Sequence, residues 1–172
     1  MKFLSIKEFF YKLNTIGFIL LLVPLLTFLF LYYTPATTPE PAITEEDGIN
    51  QLTSGLITTF IIDLTIVHWV KLARVKKLNK LLEISKKMDG YAGIFLFRSI
   101  NYTLFSLLAS LCFYLTESVN FAGIFLFIII VTLLQWPSRS AFCRLLNVTA
   151  NERTMIMTNG DTITRTRTRK SR

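Results

Sequence analysis

Residues 51–70 read QLTSGLITTFIIDLTIVHWV, and residues 93–115 read GIFLFRSINYTLFSLLASLCFYL. These two stretches decide the fold, because each is long and apolar enough to cross a bilayer as a helix, yet each carries ionisable side chains. The first contains Asp63 and His68, and the second contains Arg98. A charged side chain in the hydrocarbon of a bilayer costs a few kcal/mol. Such a side chain is therefore normally paired with another polar group, directed toward the interior of the protein or required for function.

The rest of the chain has the composition of a membrane protein. Its 172 residues are 52% hydrophobic and carry a formal net charge of +8. Two further apolar stretches, 13–33 and 120–136, flank the first two. A cleaved signal peptide is the alternative for the first of these. Its apolar region would span about 7–15 residues, whereas this one is longer and ends in Tyr32 and Tyr33, which favours a retained span.

We therefore predict an all-α membrane protein, a four-transmembrane-helix bundle formed by residues 1–136, with spans at about 13–33, 51–70, 93–115 and 120–136. The distribution of Lys and Arg predicts the orientation of this bundle in the membrane. Segments 1–12, 71–92 and 137–172 hold three, seven and eight Lys or Arg, which leaves only Arg98 of the 19. The positive-inside rule then predicts a multi-pass protein of the cytoplasmic (inner) membrane with both termini in the cytoplasm.

The basic segments predict contact with lipid. Because they adjoin membrane spans, anionic headgroups of the bilayer are the expected partner and nucleic acid is not. Residues 71–90, KLARVKKLNKLLEISKKMDG, place apolar residues at helical spacing between lysines. They predict an amphipathic helix or helical hairpin that extends the second span or lies on the membrane surface. Asp89-Gly90 is expected to end it.

Residues 137–164 are predicted to form a cytoplasmic amphipathic segment. A short helix over 138–146 would turn four residues toward the membrane: Ala141, Phe142, Leu145 and Leu146. Thr149-Ala-Asn-Glu152 fits a capping box or a loop. Two β-prone runs within 154–164 surround Asn159-Gly160, which predicts a C-terminal β-hairpin. Residues 165–172 are predicted to be a disordered basic tail.

An intramembrane polar cluster of Asp63, Arg98 and Asn101 is the principal candidate site. Asp63 and Asn101 each lie eight residues, roughly 12 Å, from the cytoplasmic boundary, so antiparallel helices would bring them to equal depth. A buried clamp that fixes helix register is one interpretation. A second interpretation is a proton or ion site on Asp63, although a fixed Arg98 would oppose proton carrying because it favours the ionised carboxylate. A third is that Asp63 faces a partner subunit.

Three further residues, His68, Trp69 and Trp136, have the character of interfacial residues. A haem on His68 would need a second axial ligand from another chain, because this sequence has one His. Two Cys and one His are too few for a metal site within one chain, so we expect no metal and no cofactor. No GxSxG, HExxH or P-loop occurs, and we expect no catalytic residues and no enzymatic activity.

Several short motifs carry a resemblance to a family. They are Leu134-Gln-Trp-Pro137, Cys143-Arg144, Asn151-Glu-Arg153, Lys12-Leu-Asn14 and Met88-Asp-Gly-Tyr91. With them the chain resembles uncharacterised four-span bacterial integral membrane proteins over most of its spans. The resemblance implies the four-span topology and no particular activity.

The sequence thus predicts a non-catalytic protein, a structural or accessory subunit that packs with itself or with a membrane partner. The alternative is a small oligomeric transporter or channel that uses Asp63 and Arg98. A third interpretation is a membrane-tethered binder whose basic tail docks cytoplasmic partners.

Overall fold

A computed structural model describes residues 5–34 and 46–158, and every regular element in those two ranges is a helix. The helices are α1 (Ile6–Tyr33), α2 (Glu46–Leu78), α3 (Ile84–Thr116), α4 (Val119–Leu134), α5 (Arg139–Leu145) and α6 (Ala150–Met157). The predicted all-helical class is confirmed for this part of the chain. Asn159-Gly160 and the tail at 165–172 lie outside the described residues.

Three helices, α1, α2 and α3, are long and apolar enough to cross a membrane. The fourth, α4, has 16 residues and a length of about 24 Å. It qualifies only when it is taken together with the short α5 that follows it. The described residues therefore contain three to four helices of membrane-spanning character, which is the pattern of a multi-pass membrane protein.

The connection between α2 and α3 agrees with one predicted alternative, a helix that extends the second apolar stretch, but not with the predicted position of the break. Helix α2 continues from the apolar stretch through the basic residues to Leu78, and Lys76 and Lys77 lie in its last turn, where cations complement the helix dipole. The break falls at 79–83, and Gly90 lies inside α3, so the prediction that Asp89-Gly90 ends a helix is wrong. The reason is packing. A Cβ on Gly90 would lie 2.1 Å from Cδ2 of Leu78, so glycine allows this close approach of α2 and α3.

The chain divides into two compact units, and the first is Met1–Ile16, Val70–Leu96 and Pro137–Arg172. Its described residues share one hydrophobic core that includes Phe9, Met88, Phe142, Leu146 and Ile156, each at most 1% exposed. The core joins the start of α1, the α2–α3 turn region, α5 and α6. Lys87 is also buried there, and its Nζ donates to the main-chain oxygen of Asn147 at 2.8 Å.

Helix α5 forms where the sequence predicts it, after an N-cap in which Ser138 accepts from the main-chain N–H of Ala141. The prediction that its apolar face meets the membrane is wrong for Phe142 and Leu146, which are fully buried in the first unit. The ring of Phe142 packs edge-on against Phe10 and Tyr91, at 6.0 and 5.0 Å between centroids. These aromatic partners from α1 and α3 replace lipid as the apolar environment.

Helix α6 occupies residues that were predicted to start the β-hairpin. The capping box is present: Thr149 accepts from the N–H of Glu152, and the Glu152 carboxylate accepts from the N–H of Thr149. Thr154 to Met157 follow in the same helix, so the prediction of a strand there is wrong. The cap satisfies two otherwise free donors, and Ile156 is buried in the core, which together outweigh local β-propensity.

The second unit, Gly17–Trp69 and Phe97–Trp136, contains most of the apolar length of α1 to α4. Phe28 of α1 stacks on Phe125 of α4 with ring centroids 4.3 Å apart. Thr103 of α3 donates to the main-chain oxygen of Leu20 in α1 at 2.8 Å. Helix α2 contacts the other helices of this unit through Phe60. The Phe60 ring packs against Tyr102 and Phe105 of α3, and it shares a hydrophobic cluster with Ile128 of α4.

Candidate intramembrane polar site

The ionisable residues of the predicted cluster lie in the second unit, on α2 and α3. Arg98 and Tyr102 are four residues apart on α3, which places them on one face of the helix, toward the end of α4. Asp63 lies on α2, three residues after Phe60, whose ring packs against Tyr102. The helix periods of α2 and α3 thus put these side chains in the same region of the second unit.

Arg98 binds the end of α4. Its Nη2 donates to the main-chain oxygen of Gln135, the C-cap residue of that helix, at 2.5 Å. The last carbonyl groups of a helix have no partner within the helix and carry the negative end of its dipole. A guanidinium placed there supplies both a donor and a compensating charge. Arg98 therefore stabilises the junction of α3 with the end of α4.

Tyr102 strengthens the same junction. Its hydroxyl donates to Oε1 of Gln135 at 3.4 Å, and the side chain of Tyr102 is only 3% exposed. Gln135 is thus held through its main chain by Arg98 and through its amide by Tyr102. Three polar groups that would each be costly in an apolar environment satisfy one another.

Unlike Arg98 and Tyr102, Asp63 has a side-chain oxygen without a hydrogen-bond partner among the described residues. The residue is half-buried, but its Oδ2 atom is fully buried and has no hydrogen-bond partner among the described residues. Neither Arg98 nor Asn101 donates to that atom, so the predicted clamp is not formed through Oδ2. Asn101 is half-buried on α3. An unsatisfied carboxyl oxygen in an apolar environment carries a penalty on the order of 1–3 kcal/mol.

The predicted interfacial residues lie where apolar stretches end, two of them inside α2 and one just after α4. His68 and Trp69 are exposed on α2, with 73% of Trp69 accessible. Trp136 directly follows Gln135 and is half-buried. Exposed aromatic and imidazole side chains at the end of an apolar stretch are typical of the bilayer interface.

Sequence reasoning missed Gln135, the residue on which the site converges. In the sequence it is only a polar residue at the end of the apolar stretch 120–136, a position where polar side chains are common. A hydrogen bond to a main-chain carbonyl leaves no sequence signal, because every residue has one. The sequence shows that Arg98 and Tyr102 share a face of α3, but it does not show that Gln135 is their partner.

The contacts described here join α3 to the end of α4. Within 5–34 and 46–158 no group of three or more His, Cys, Asp or Glu is placed to hold a metal ion. Comparisons with family models, curated proteins and solved structures found no match to the chain.

Proposed function

We propose that the chain is a non-catalytic integral membrane protein, a structural or accessory subunit that packs with itself or with a membrane partner. The observation that carries this proposal is the use of Arg98, the only Lys or Arg in the second unit, to hold the main-chain oxygen of Gln135. A transport site would need that cation free to respond to an ion. Here one of its N–H donors is already bound to a helix end, which supports a structural role.

We further propose four spans with both termini in the cytoplasm, in the inner membrane. The division into two units supports this topology, because all 18 Lys and Arg other than Arg98 belong to the first unit. A first unit on the cytoplasmic side, near anionic headgroups, satisfies the positive-inside rule. The long apolar part of α1 to α4 in the second unit would then be the membrane bundle.

The test is assembly in a mild detergent. The full chain would be purified in a maltoside detergent and its mass measured by light scattering during size-exclusion chromatography, with mass spectrometry of any protein that co-purifies. A homo-oligomer, or a stoichiometric membrane partner retained through two different affinity tags, is the expected result. A bare monomer that co-purifies with nothing would contradict the proposal.

The unpartnered Oδ2 of Asp63 favours a second candidate, a small oligomeric transporter or channel that uses Asp63 and Arg98. Asp63→Asn separates the two functions when the protein is reconstituted in liposomes and ion or proton flux is followed. A transporter predicts flux in the natural chain and loss of flux in a variant that still folds. A subunit predicts no flux in either chain.

A further inference from the structure

Helix α4 is shorter than the hydrocarbon layer of a typical bilayer. It has 16 residues and a length of about 24 Å, whereas that layer is about 30 Å thick. Both ends of α4 are tied to α3. At its start, only Glu117 and Ser118 separate the two helices. At its end, the main-chain oxygen of Gln135 accepts from the guanidinium of Arg98. These connections set the length of α4.

Charged residues mark the same two levels on α3. The residues between Arg98 and Glu117 are all uncharged, and those within the helix, 99–116, are about 27 Å long. The apolar residues just before Arg98 do not extend this length toward lipid, because Ile94 and Phe95 are buried in the core of the first unit. The α3–α4 hairpin, residues 98–135, therefore has an uncharged length of about 24–27 Å.

The position of Asp63 on α2 agrees with this limit. The ring of Phe60 packs against Tyr102 and Phe105 of α3, with centroids 6.2 and 5.2 Å apart. Because the short turn between α2 and α3 makes the two helices antiparallel, Asp63, three residues after Phe60, lies within about one helical turn of the level of Arg98. Its buried Oδ2, which has no hydrogen-bond partner among the described residues, is therefore at the same edge of the uncharged length.

The short length belongs to the α3–α4 side of the second unit. On α2, the apolar stretch continues past Asp63, and the exposed residues Ile66 and Trp69 follow. Asp47 and Trp69 are 22 residues apart, about 33 Å of helix, so α2 is long enough for a bilayer of ordinary thickness. A bilayer that fits both sides must be thinner beside α3 and α4 than beside α2.

We propose that the α3–α4 hairpin binds a locally thin lipid layer, with hydrocarbon about 24–27 Å thick, and so prefers phospholipids with short acyl chains. The inference rests on the membrane-spanning role of the second unit proposed above. In a layer of ordinary thickness, with Glu117 at the opposite boundary, Arg98 and Asp63 would lie about 3–6 Å inside hydrocarbon, where a charge is costly. In the thinner layer both residues reach the level of headgroups and water.

Competition between lipids of different chain length tests the proposal, with tryptophan fluorescence as the readout. The sequence has two tryptophans, Trp69 and Trp136, and both belong to the second unit. The full chain carrying Trp69→Phe would be reconstituted in phosphatidylcholine vesicles that contain an 18-carbon lipid brominated on its acyl chains, which quenches a tryptophan that it contacts. Trp136, directly after Gln135, then reports on the lipids beside the hairpin.

Unbrominated phosphatidylcholines with 14-, 18- or 22-carbon chains would compete with the quencher. We expect the 14-carbon lipid to restore Trp136 fluorescence at about one third of the concentration that the 22-carbon lipid requires, because each ångström of mismatch costs free energy. The chain carrying Trp136→Phe is the matched control. There Trp69 reports on the longer α2 side, and the difference between the lipids should be smaller.

Two charge variants test whether Arg98 and Asp63 set the thickness. Asp63→Leu with Arg98→Leu should remove the preference for the 14-carbon lipid, because no charge then remains at that level. Asp63→Leu alone should weaken it, and this variant keeps the bond of Arg98 to Gln135 if the double variant does not fold. Glu83→Leu is the control, because it removes an exposed carboxylate in the first unit and should leave the preference unchanged. Helicity and elution volume show that each variant folds.

Equal competition by the three lipids at Trp136 would overturn this inference and leave the membrane-spanning role intact, since quenching itself shows contact with acyl chains. A larger difference at Trp69 than at Trp136 would overturn it as well, because the short side would then lie on α2. A preference that survives the loss of both charges would contradict the task given to Arg98 and Asp63. Absence of quenching by the brominated lipid would overturn both the inference and the membrane-spanning role.

Discussion

The Arg98 guanidinium on α3 donates to the main-chain oxygen of Gln135, the residue that caps the C-terminal end of α4. This is a bond between a charged side chain and a helix end, 37 residues apart in sequence. It joins α3 to the end of α4, where the last carbonyl groups have no partner within the helix. Arg98, the only Lys or Arg of the second unit, therefore links α3 to the end of α4.

Arg98→Met should destabilise the second unit, because it leaves the Gln135 carbonyl without its charged donor. Hydrogen bonds to charged groups contribute about 1.5–3 kcal/mol, and thermal unfolding in detergent would measure the loss. Arg74→Met is the matched control. Arg74 is exposed and its Nη1 donates to the main-chain oxygen of Gly93 at 3.5 Å, so we expect less than about 1 kcal/mol. Equal losses in the two variants would contradict the structural task of Arg98.

Gly90→Ala should destabilise the first unit, because the added Cβ would lie 2.1 Å from Cδ2 of Leu78. Overpacking costs about 1–3 kcal/mol, and the better helix propensity of alanine offsets roughly 1 kcal/mol of it, so we expect a net loss of about 1 kcal/mol. Gly123→Ala, where nothing lies within 4 Å, should be neutral or slightly stabilising. A double-mutant cycle with Leu78→Ala gives the decisive measurement: the cost of Gly90→Ala should disappear once Leu78 is shortened.

Apolar length and charge distribution predicted the helical class, since both are local properties of the chain. A run of about 20 apolar residues can satisfy its main chain in a membrane only by forming a helix, whatever it packs against. The short helix after Trp136 was also predictable, because its apolar residues recur at helical spacing. The sequence located these segments well but not their ends.

The errors arose where a distant contact outweighed a local preference. Gly90 looks like a helix terminator, but Leu78 packs against it and makes a small residue favourable inside α3. Thr154 to Met157 look like a strand, but the cap at Thr149 and the burial of Ile156 favour a helix. The bond of Arg98 to the Gln135 main-chain oxygen was also missed, because no pattern of side chains reveals a main-chain partner; the meeting of Asp63 with Arg98 stays a prediction.

The turn between α3 and α4 contains a strained residue. Glu117 has a φ of 52°, in the left-handed region that favours glycine, and its N–H donates to the main-chain oxygen of Phe113 at 2.7 Å as α3 ends. Glu117→Gly should stabilise the protein by about 0.5–1 kcal/mol, because glycine has no Cβ to clash in this conformation.

Glu117→Ala is the control for that change, since alanine removes the charge but keeps the Cβ. It should give no stabilisation in the same thermal unfolding measurement. If alanine stabilised as much as glycine, the carboxylate and not the backbone conformation would be responsible.

The Cys143 thiol, on α5, tests the electrostatics of the first unit. Burial raises the pKa of Cys143 above its ordinary value, and the positive charge of Arg153 lowers it in part. Only the thiolate reacts with maleimides, so a raised pKa means slower alkylation at a given pH. In a Cys112→Ser background, Arg153→Gln should raise the pKa of Cys143 further and move the pH profile of alkylation to higher pH. Arg144→Gln, an exposed change beside Cys143 in sequence, should move it less, and the reverse order would show that Arg153 is not the cation that acts on this thiol.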